Sequence, residues 1–416
     1  MNEKTERFDV MIGGGGTAGL ALACALADAL GPGARIAVAD PGPLGPGQGA
    51  TDARAFALAA GSKRMLAALG AWPDIAEHAQ PVTAVDITDS GLDDAIRPVL
   101  VSYDNTVDGG EPATWIIEHA RLREALLEAA ARRSPITLLG GERAAQFAVD
   151  AHGVDVGLAA GAATRTVRAT LLVAADGRGS QLREAAGIQV VRWRYPQAGI
   201  VTTVRHSEPH RGRAVQHFLP SGPFAILPLT GNRSCITWTE EAETARRILA
   251  LDDAGFRAEV EKRFDYRLGS VELAGPRASW PLDMHLARAL VRPRFALVSD
   301  AAHGVHPIAG QGLNLGFRDV AALAEVVADA ARLGLDIGSA DVLERYERWR
   351  RLDSALSAAT FDALNRLFSN DFPLLRAVRD FGLGLVERLP ALKRAFVAEA
   401  AGLTGEVPRL LRGEPA

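Results

Sequence analysis

Hydrophobic and polar positions along this chain follow two patterns. The first is a short apolar run that ends in glycine or an acid. Residues 8–12 form such a run ahead of four glycines, residues 20–30 read as an Ala/Leu-rich helix, and residues 35–40 form a second run ending in Asp40. Strand, turn, helix and strand in that order predict a βαβ unit and a parallel sheet. Residues 170–175 and 294–299 repeat the buried-strand pattern and run into Asp176-Gly177 and Asp300, while residues 53–69 and 121–132 read as helices. The second pattern alternates. It covers residues 82–101 and several runs between 188 and 240, such as 224–229, which Gly and Pro interrupt. Alternation of this kind predicts a mostly antiparallel sheet. Residues 42–49 are a Gly/Pro-rich loop, and beyond Asp341 the pattern is helical over 342–367 and 373–389.

The predicted fold class is therefore α/β. A discontinuous Rossmann-type domain (1–80, 111–184 and 277–338) carries an inserted, mostly antiparallel β-sheet domain (81–110 and 185–276), and a C-terminal helical region follows (339–416). A length of 416 residues suits two or three such units. The formal charge of −4 argues against nucleic acid as the partner, because phosphate binding favours a basic surface. The two cysteines, Cys24 and Cys235, sit in apolar stretches. They read as buried free thiols, with no disulfide framework and no metal cluster, which fits a reducing cytoplasm. No apolar segment precedes the glycines and no run reaches the ~18 apolar residues of a membrane span, so a soluble or peripheral protein is expected.

Three segments carry candidate chemistry. In Gly14-x-Gly16-x-x-Gly19 the glycines permit a tight turn and let backbone N–H groups approach a pyrophosphate at a helix N-terminus. Asp40 follows 21 residues after Gly19, near the ~20 expected for an acid that reaches ribose hydroxyls. A register on Gly13, Gly15 and Ala18 also fits a relaxed pattern; the one ending at Gly19 supplies a true third glycine. Asp176-Gly177-Arg178-Gly179-Ser180 ends a strand where open sheets bind ligands, and Ser180 is placed to cap the next helix. By itself this segment is equally a plain strand-turn-helix connection. In residues 299–314, Asp300 is placed to accept from sugar-type hydroxyls, and Gly310-Gln311-Gly312 presents bare N–H groups at a helix start, beside Asn314. A glycine-rich helix cap is the alternative there.

In this order, the three segments resemble those of the single-component flavin aromatic hydroxylases, the p-hydroxybenzoate hydroxylase class. The resemblance extends to Asp52-x-Arg54-x-x-Ala57-Leu58 with Ser62 and Leu69-Gly70. It also takes in Arg345-Tyr346-Glu347, Thr360-x-x-x-Leu364-Asn365-x-Leu367-Phe368-Ser369-Asn370-Asp371 and Pro408-Arg409-Leu410-x-Arg412-Gly413. The last three are similar to the ubiquinone-biosynthesis hydroxylases, which act on polyprenylated phenols.

This resemblance implies an FAD-binding domain with a substrate domain inserted in it. FAD would be held by Gly14, Gly16, Gly19, Asp40, Arg54, Arg121, Asp176, Asp300, Gly310, Gln311, Gly312 and Asn314. For Arg54 a salt bridge to a neighbouring helix is the competing reading. The family cycle implies NADPH or NADH as co-substrate and O2 taken up as a C4a-hydroperoxyflavin, which hydroxylates the phenol ring. Since the cofactor carries this chemistry, no nucleophile triad is required. His303, His306 and Pro307 are the candidate catalytic residues beside the flavin edge; structural histidines that bond nearby backbone are the alternative. The family's glycine before the third acid is Ser299 here, which crowds the ribityl chain, and Gly13 replaces a usual apolar residue.

Apolar residues Phe361, Leu364, Leu367, Phe368, Phe372, Leu374 and Leu375, with basic Arg376, Arg379, Lys393 and Arg394, suit core packing and solvated helix faces. They equally suit a prenyl-tail groove and peripheral contact with the inner face of the membrane. Association with other ubiquinone-biosynthesis enzymes is a further expectation, and the oligomeric state stays open. The competing functions are a flavin hydroxylase of a soluble phenol and a flavin reductase or dinucleotide sensor. A pure NAD dehydrogenase leaves the second and third segments unexplained.

Overall fold

The computed structural model describes residues 5–45, 47, 52–89, 91–92, 98–107, 109–265, 267–305, 311–368 and 397–416, with backbone alone for 354–355 and 357–368. The strand Arg7–Gly13 lies at the centre of an eight-stranded sheet, between Ala163–Ala174 and Ile36–Asp40. Both neighbours run parallel to it, and Phe295–Leu297 and Ile136–Gly140 extend the parallel order on either side. Val10, Met11 and Ile12 are consecutive and all fully buried, so both faces of this strand are covered. That double burial is why the strand reads as a continuous apolar run. The helices Thr17–Leu30, His119–Ala131 and Gly312–Arg332 pack together in the same core.

A nine-stranded sheet forms the second layer. Its order is His303–Gly304, Ala278–Ala287, Val190–His206, Arg233–Glu241, Gly222–Leu229, Arg213–Leu219, Ala84–Asp89 and Val99–Asp104, with Val271–Leu273 off the path. Apart from the parallel pair Arg213–Leu219 and Ala84–Asp89, it is antiparallel. Phe224, Ile226, Ile236 and Trp238 point to one face, where Phe256 and Val260 of the helix Asp253–Phe264 cover them. Their neighbours Ala225, Leu227, Thr237 and Thr239 point to the other face and line a cavity. The period-2 alternation in the sequence is thus the signature of two differently covered faces.

Two segments differ from the sequence expectation. The stretch expected to be helical over 53–69 is a strand, Ala55–Ala59, followed by a shorter helix, Ala60–Ala68. Pairing of Ala55–Ala59 with Thr114–Glu118 overrides the helix preference of its alanines. The sequence places residues 277–338 in the dinucleotide-binding domain, but Ala278–Ala287 pairs along Val190–His206 and so belongs to the second sheet. The long helix Ala340–Phe368 packs on Gly312–Arg332. Residues 373–389 lie outside the described residues. Cys24 and Cys235 are buried free thiols, and burial pushes both up to about 12.

Candidate active site

Each glycine of the first motif has its own geometric reason. Gly14 has φ +115°, and a Cβ there would stand 2.3 Å from the Ala175 carbonyl oxygen. A Cβ on Gly19 would meet the Gly14 carbonyl oxygen at 1.9 Å, so only hydrogen allows the helix this close to the turn. A Cβ on Gly16 would meet nothing within 4 Å, and Gly16 lines the cavity. Turn, open approach and close helix packing are the three roles a dinucleotide turn requires. The register on Gly14, Gly16 and Gly19 fits them. The helix Thr17–Leu30 begins at Gly16 with no side-chain cap, which leaves its first N–H groups for a ligand anion.

Around this turn the polar groups are arranged differently from the sequence reading. The Asp40 carboxylate accepts from the Gly15 and Gly42 N–H groups at 2.7 and 2.8 Å, bracing the turn from behind. Arg121 is half-exposed and comes no closer than 3.9 Å to Glu124. Its helix neighbour Arg123 donates instead to the carbonyl oxygens of Gly15 and Pro43, each at 3.2 Å. Two residues apart on a helix face nearly opposite ways, so only one of the pair can reach the turn.

In the second motif, Ser180 caps the helix Gln181–Ala185, accepting from the Arg183 N–H at 3.0 Å. The Asp176 Oδ2 accepts from the Leu182 N–H at 3.2 Å, while its Oδ1 is sealed without a partner. Burial pushes the Asp176 carboxyl above its ordinary range. Ala175, Gly177 and Arg178 line the cavity beside it.

In the third motif, Asp300, Gln311, Gly312 and Asn314 line the cavity. The Asn314 amide is committed to protein: its oxygen accepts from the Ala59 N–H and the Ser62 hydroxyl, and its nitrogen donates to the Ala57 carbonyl. It therefore ties the start of the helix Gly312–Arg332 to the strand Ala55–Ala59. Ser299 has φ +58°, a left-handed conformation that disfavours any residue with a Cβ. The cost of serine at this position thus falls on the backbone. Its side chain is housed against Gly316, where a Cβ would lie 2.4 Å from the Ser299 Oγ.

His303 stands behind the cavity wall rather than on it. It is 1% exposed, and its Nε2 lies 2.6 Å from the Asp319 Oδ2. The same carboxylate accepts from the Ser299 N–H at 2.9 Å and the Arg350 Nε at 2.8 Å. Burial alone would raise the Asp319 carboxyl, but the His303 and Arg350 charges outweigh it and hold it below its ordinary value. Of the two readings of His303, this geometry matches the structural one. His306, Pro307 and Gly310 lie outside the described residues.

Several residues that position the site gave little sign of it in the sequence. His285 donates from Nε2 to the Asp300 carbonyl at 3.0 Å. Burial, reinforced by the charges of Arg178 and Arg183, pushes His285 down to about 4. No local motif marks it. Asp319 and Arg350 were detectable only as charges on buried faces of amphipathic helices, Asp319 among Leu315, Ala322 and Leu323. Arg54 forms a bidentate pair with Asp52, two residues away, and still faces the cavity. The His119 Nδ1 lies 2.8 Å from the same carboxylate. Burial would raise Asp52, yet His119 and Arg54 hold it far below the usual carboxylate range.

The cavity that these groups share has a volume of about 2110 Å³. A single small ligand occupies a pocket of roughly 300–1,000 Å³, so this space has room for a dinucleotide and a second molecule. Its lining takes in the glycine turn, Asp300 with the 311–315 helix start, and the largely apolar face of the second sheet. The open Gly16, the uncapped helix start and the cavity running past all three motifs fit an extended dinucleotide.

A family model described as an FAD binding domain matches residues 7–358. The chain is 44% identical over 411 residues to the ubiquinone hydroxylase UbiL of Rhodospirillum rubrum, covering 98% of this chain and 93% of that protein. It is 33% identical over 407 residues to the 3-demethoxyubiquinol 3-hydroxylase of Escherichia coli, covering 97% of this chain and 100% of that protein. Among solved structures, p-nitrophenol 4-monooxygenase PnpA from Pseudomonas putida DLL-E4 superposes with a TM-score of 0.79 at 20% identity, over 96% of this chain and 99% of that one; this is likeness of fold.

Proposed function

We propose, from the premise that this chain belongs to the FAD-dependent ubiquinone-biosynthesis hydroxylases, that its substrate is a polyprenylated phenol whose aromatic ring is hydroxylated with O2 and NADPH or NADH. The observation that carries this reading is the single cavity joining the glycine turn to an apolar sheet face. Bound FAD supplies the electron transfer and oxygen activation that side chains cannot.

In this reading the protein binds, orients and excludes water. Gly16 and the start of the helix Thr17–Leu30 hold the pyrophosphate, and Asp40 and Arg123 keep the turn in shape. Asp300 accepts from the ribityl hydroxyls, with its backbone fixed by His285. The N–H groups of Gly312 and Leu313, at the positive end of a 21-residue helix, stabilise negative charge at the flavin's pyrimidine edge. Val85, Ile87, Phe218, Leu227 and Trp280 exclude water from the ring. His303 acts through Asp319 and Ser299 as a positioning residue for the third motif.

Among the described residues no helix is long and apolar enough to cross a membrane. Leu352 and Leu356, one turn apart on the helix Ala340–Phe368, are 67% and 59% exposed and line the cavity. We assign them the exit of the prenyl tail, which makes peripheral contact with the bilayer part of the same reading. Residues 372, 374–376, 379 and 393–394, which suit membrane contact, lie outside the described residues, as do the side chains of 361, 364, 367 and 368.

The test is oxygen uptake by the purified, FAD-loaded protein. Uptake and hydroxylated product are expected in equal amounts with a prenylated phenol. A soluble phenol turned over as well as the prenylated one would refute the substrate assignment.

A further inference from the structure

The cavity-facing side of the second sheet can be read strand by strand from its register. A single ladder runs Val101, Ile87, Gln216, Ala225, Thr237 and Val201. All six line the cavity. Four of the six are apolar, as a water-excluding wall should be. Gln216 and Thr237 are the exceptions, and they flank Ala225, the smallest side chain in the row. Adjacent strands lie ~4.8 Å apart, so the two polar residues stand roughly 10 Å apart at the backbone with a shallow space between them.

Gln216 is unusual in a second respect. Its amide nitrogen is buried and has no hydrogen-bond partner. Leaving a buried amide unpaired is costly, and such a group calls for an explanation. Tyr103 lies on the same face, diagonal to Gln216 across Ala84–Asp89, and also lines the cavity. Burial pushes its hydroxyl above the ordinary tyrosine value, so it stays a neutral donor.

We infer that Ala225 is the seat of the substrate's aromatic ring, and that Gln216 and Thr237 bind oxygen substituents on opposite sides of that ring. This deepens the function proposed above and rests on it. A glutamine amide both donates and accepts, and so does a phenol hydroxyl; rotation about the last side-chain torsion matches either partner. The small Ala225 lets a flat ring lie close to the sheet. Thr237 offers one short hydroxyl on the far side, and Ile87 and Val201 close the ends of the seat. The ligand class is a planar ring bearing at least two oxygen substituents. Gln216 is thereby a specificity-determining residue that selects oxygenated rings over purely apolar ones.

The experiment is calorimetric binding to the FAD-loaded protein, which does not depend on turnover. The probes are a short-chain prenylated methoxyphenol and the matching prenylated benzene with no ring oxygens. Wild type should prefer the phenol. Gln216→Met keeps length and shape but removes the amide; it should weaken phenol binding about tenfold, the worth of one well-made hydrogen bond, and leave the benzene unchanged. If that variant does not hold FAD, Gln216→Glu serves instead. It should bind the neutral phenol and lose it above the phenol's pKa, where two anions would face each other. An unchanged preference for the phenol in Gln216→Met, or pH-independent binding in Gln216→Glu, overturns the seat while leaving the hydroxylase reading intact. Failure of wild type to bind the phenol at all overturns both.

Discussion

Ser299 and Gly316 make a pair whose energetics follow from their close contact. Ser299 has φ +58°, where a residue with a Cβ pays roughly 1–2 kcal/mol. Ser299→Gly removes that cost but returns about 0.4–1 kcal/mol through the extra freedom of the unfolded chain. A net gain of about 0.5–1 kcal/mol is expected, or roughly 0.5–1 °C for a chain of this size. Gly316→Ala should do the reverse in the natural background. Its new methyl would lie 2.4 Å from the Ser299 Oγ and 2.9 Å from the Ser299 Cβ, overpacking worth about 1–3 kcal/mol. Once Ser299→Gly removes both atoms, the nearest neighbour of that methyl is the Cα of residue 299 at 3.4 Å, an ordinary contact. The methyl then adds its helix preference of about 1 kcal/mol. The double variant should therefore be the most stable of the four proteins, with a coupling of about 1–3 kcal/mol. Thermal denaturation with FAD at fixed excess measures the cycle. If Gly316→Ala costs the same in both backgrounds, the argument that serine is housed by Gly316 fails.

Other residues give separate checks. Gly16→Ala should yield a folded apo-protein whose FAD affinity, read by flavin fluorescence quenching, drops about 10–100-fold, whereas Gly19→Ala should impair folding, since its methyl meets backbone at 1.9 Å. Arg123→Ala should weaken FAD binding in the same titration and Arg121→Ala should not, because only Arg123 touches the turn. Asp319→Asn leaves the buried Arg350 without its full counter-charge, and urea denaturation should show a loss of about 3–5 kcal/mol. Buried His285 titrates near 4 in the native state and at ~6.5 unfolded, so the native state binds fewer protons. Its contribution is complete above pH ~6.5 and is lost as pH falls towards 4, by about 3 kcal/mol. Replacing it by His285→Gln should flatten the stability-pH curve in that window; an unaltered slope would count against the assignment.

Local patterns made much of this protein readable. Gly14, Gly16 and Gly19 between a strand and a helix announced a tight strand-to-helix turn, because Gly14 and Gly19 answer contacts at the adjoining strand and within the turn itself, while Gly16 stands open. Alternation over 224–229 announced a sheet with two different faces, and Ser180 announced its own helix cap. The segments that misled were those where distant pairing wins. Residues 55–59 look helical and are held as a strand by 114–118; residues 278–287 fall within the stretch expected in the dinucleotide-binding domain and belong to the sheet built on 190–206.

By itself, then, the sequence determined the fold class, the order of the three motifs and the tight glycine turn between strand and helix. Those depend on backbone freedom and on hydrophobic period, which are properties of short stretches. Only the tertiary structure decided which side chains meet. Arg123 rather than Arg121 reaches the turn; His303 lies behind the wall with Asp319 and Arg350; His285 holds Asp300; and Gln216 faces the cavity with its amide nitrogen unpaired. Each of the first three joins residues from separate elements, and the setting of Gln216 depends on the packing of the whole sheet face. Their geometry follows from how helices and strands pack together, which no local pattern encodes.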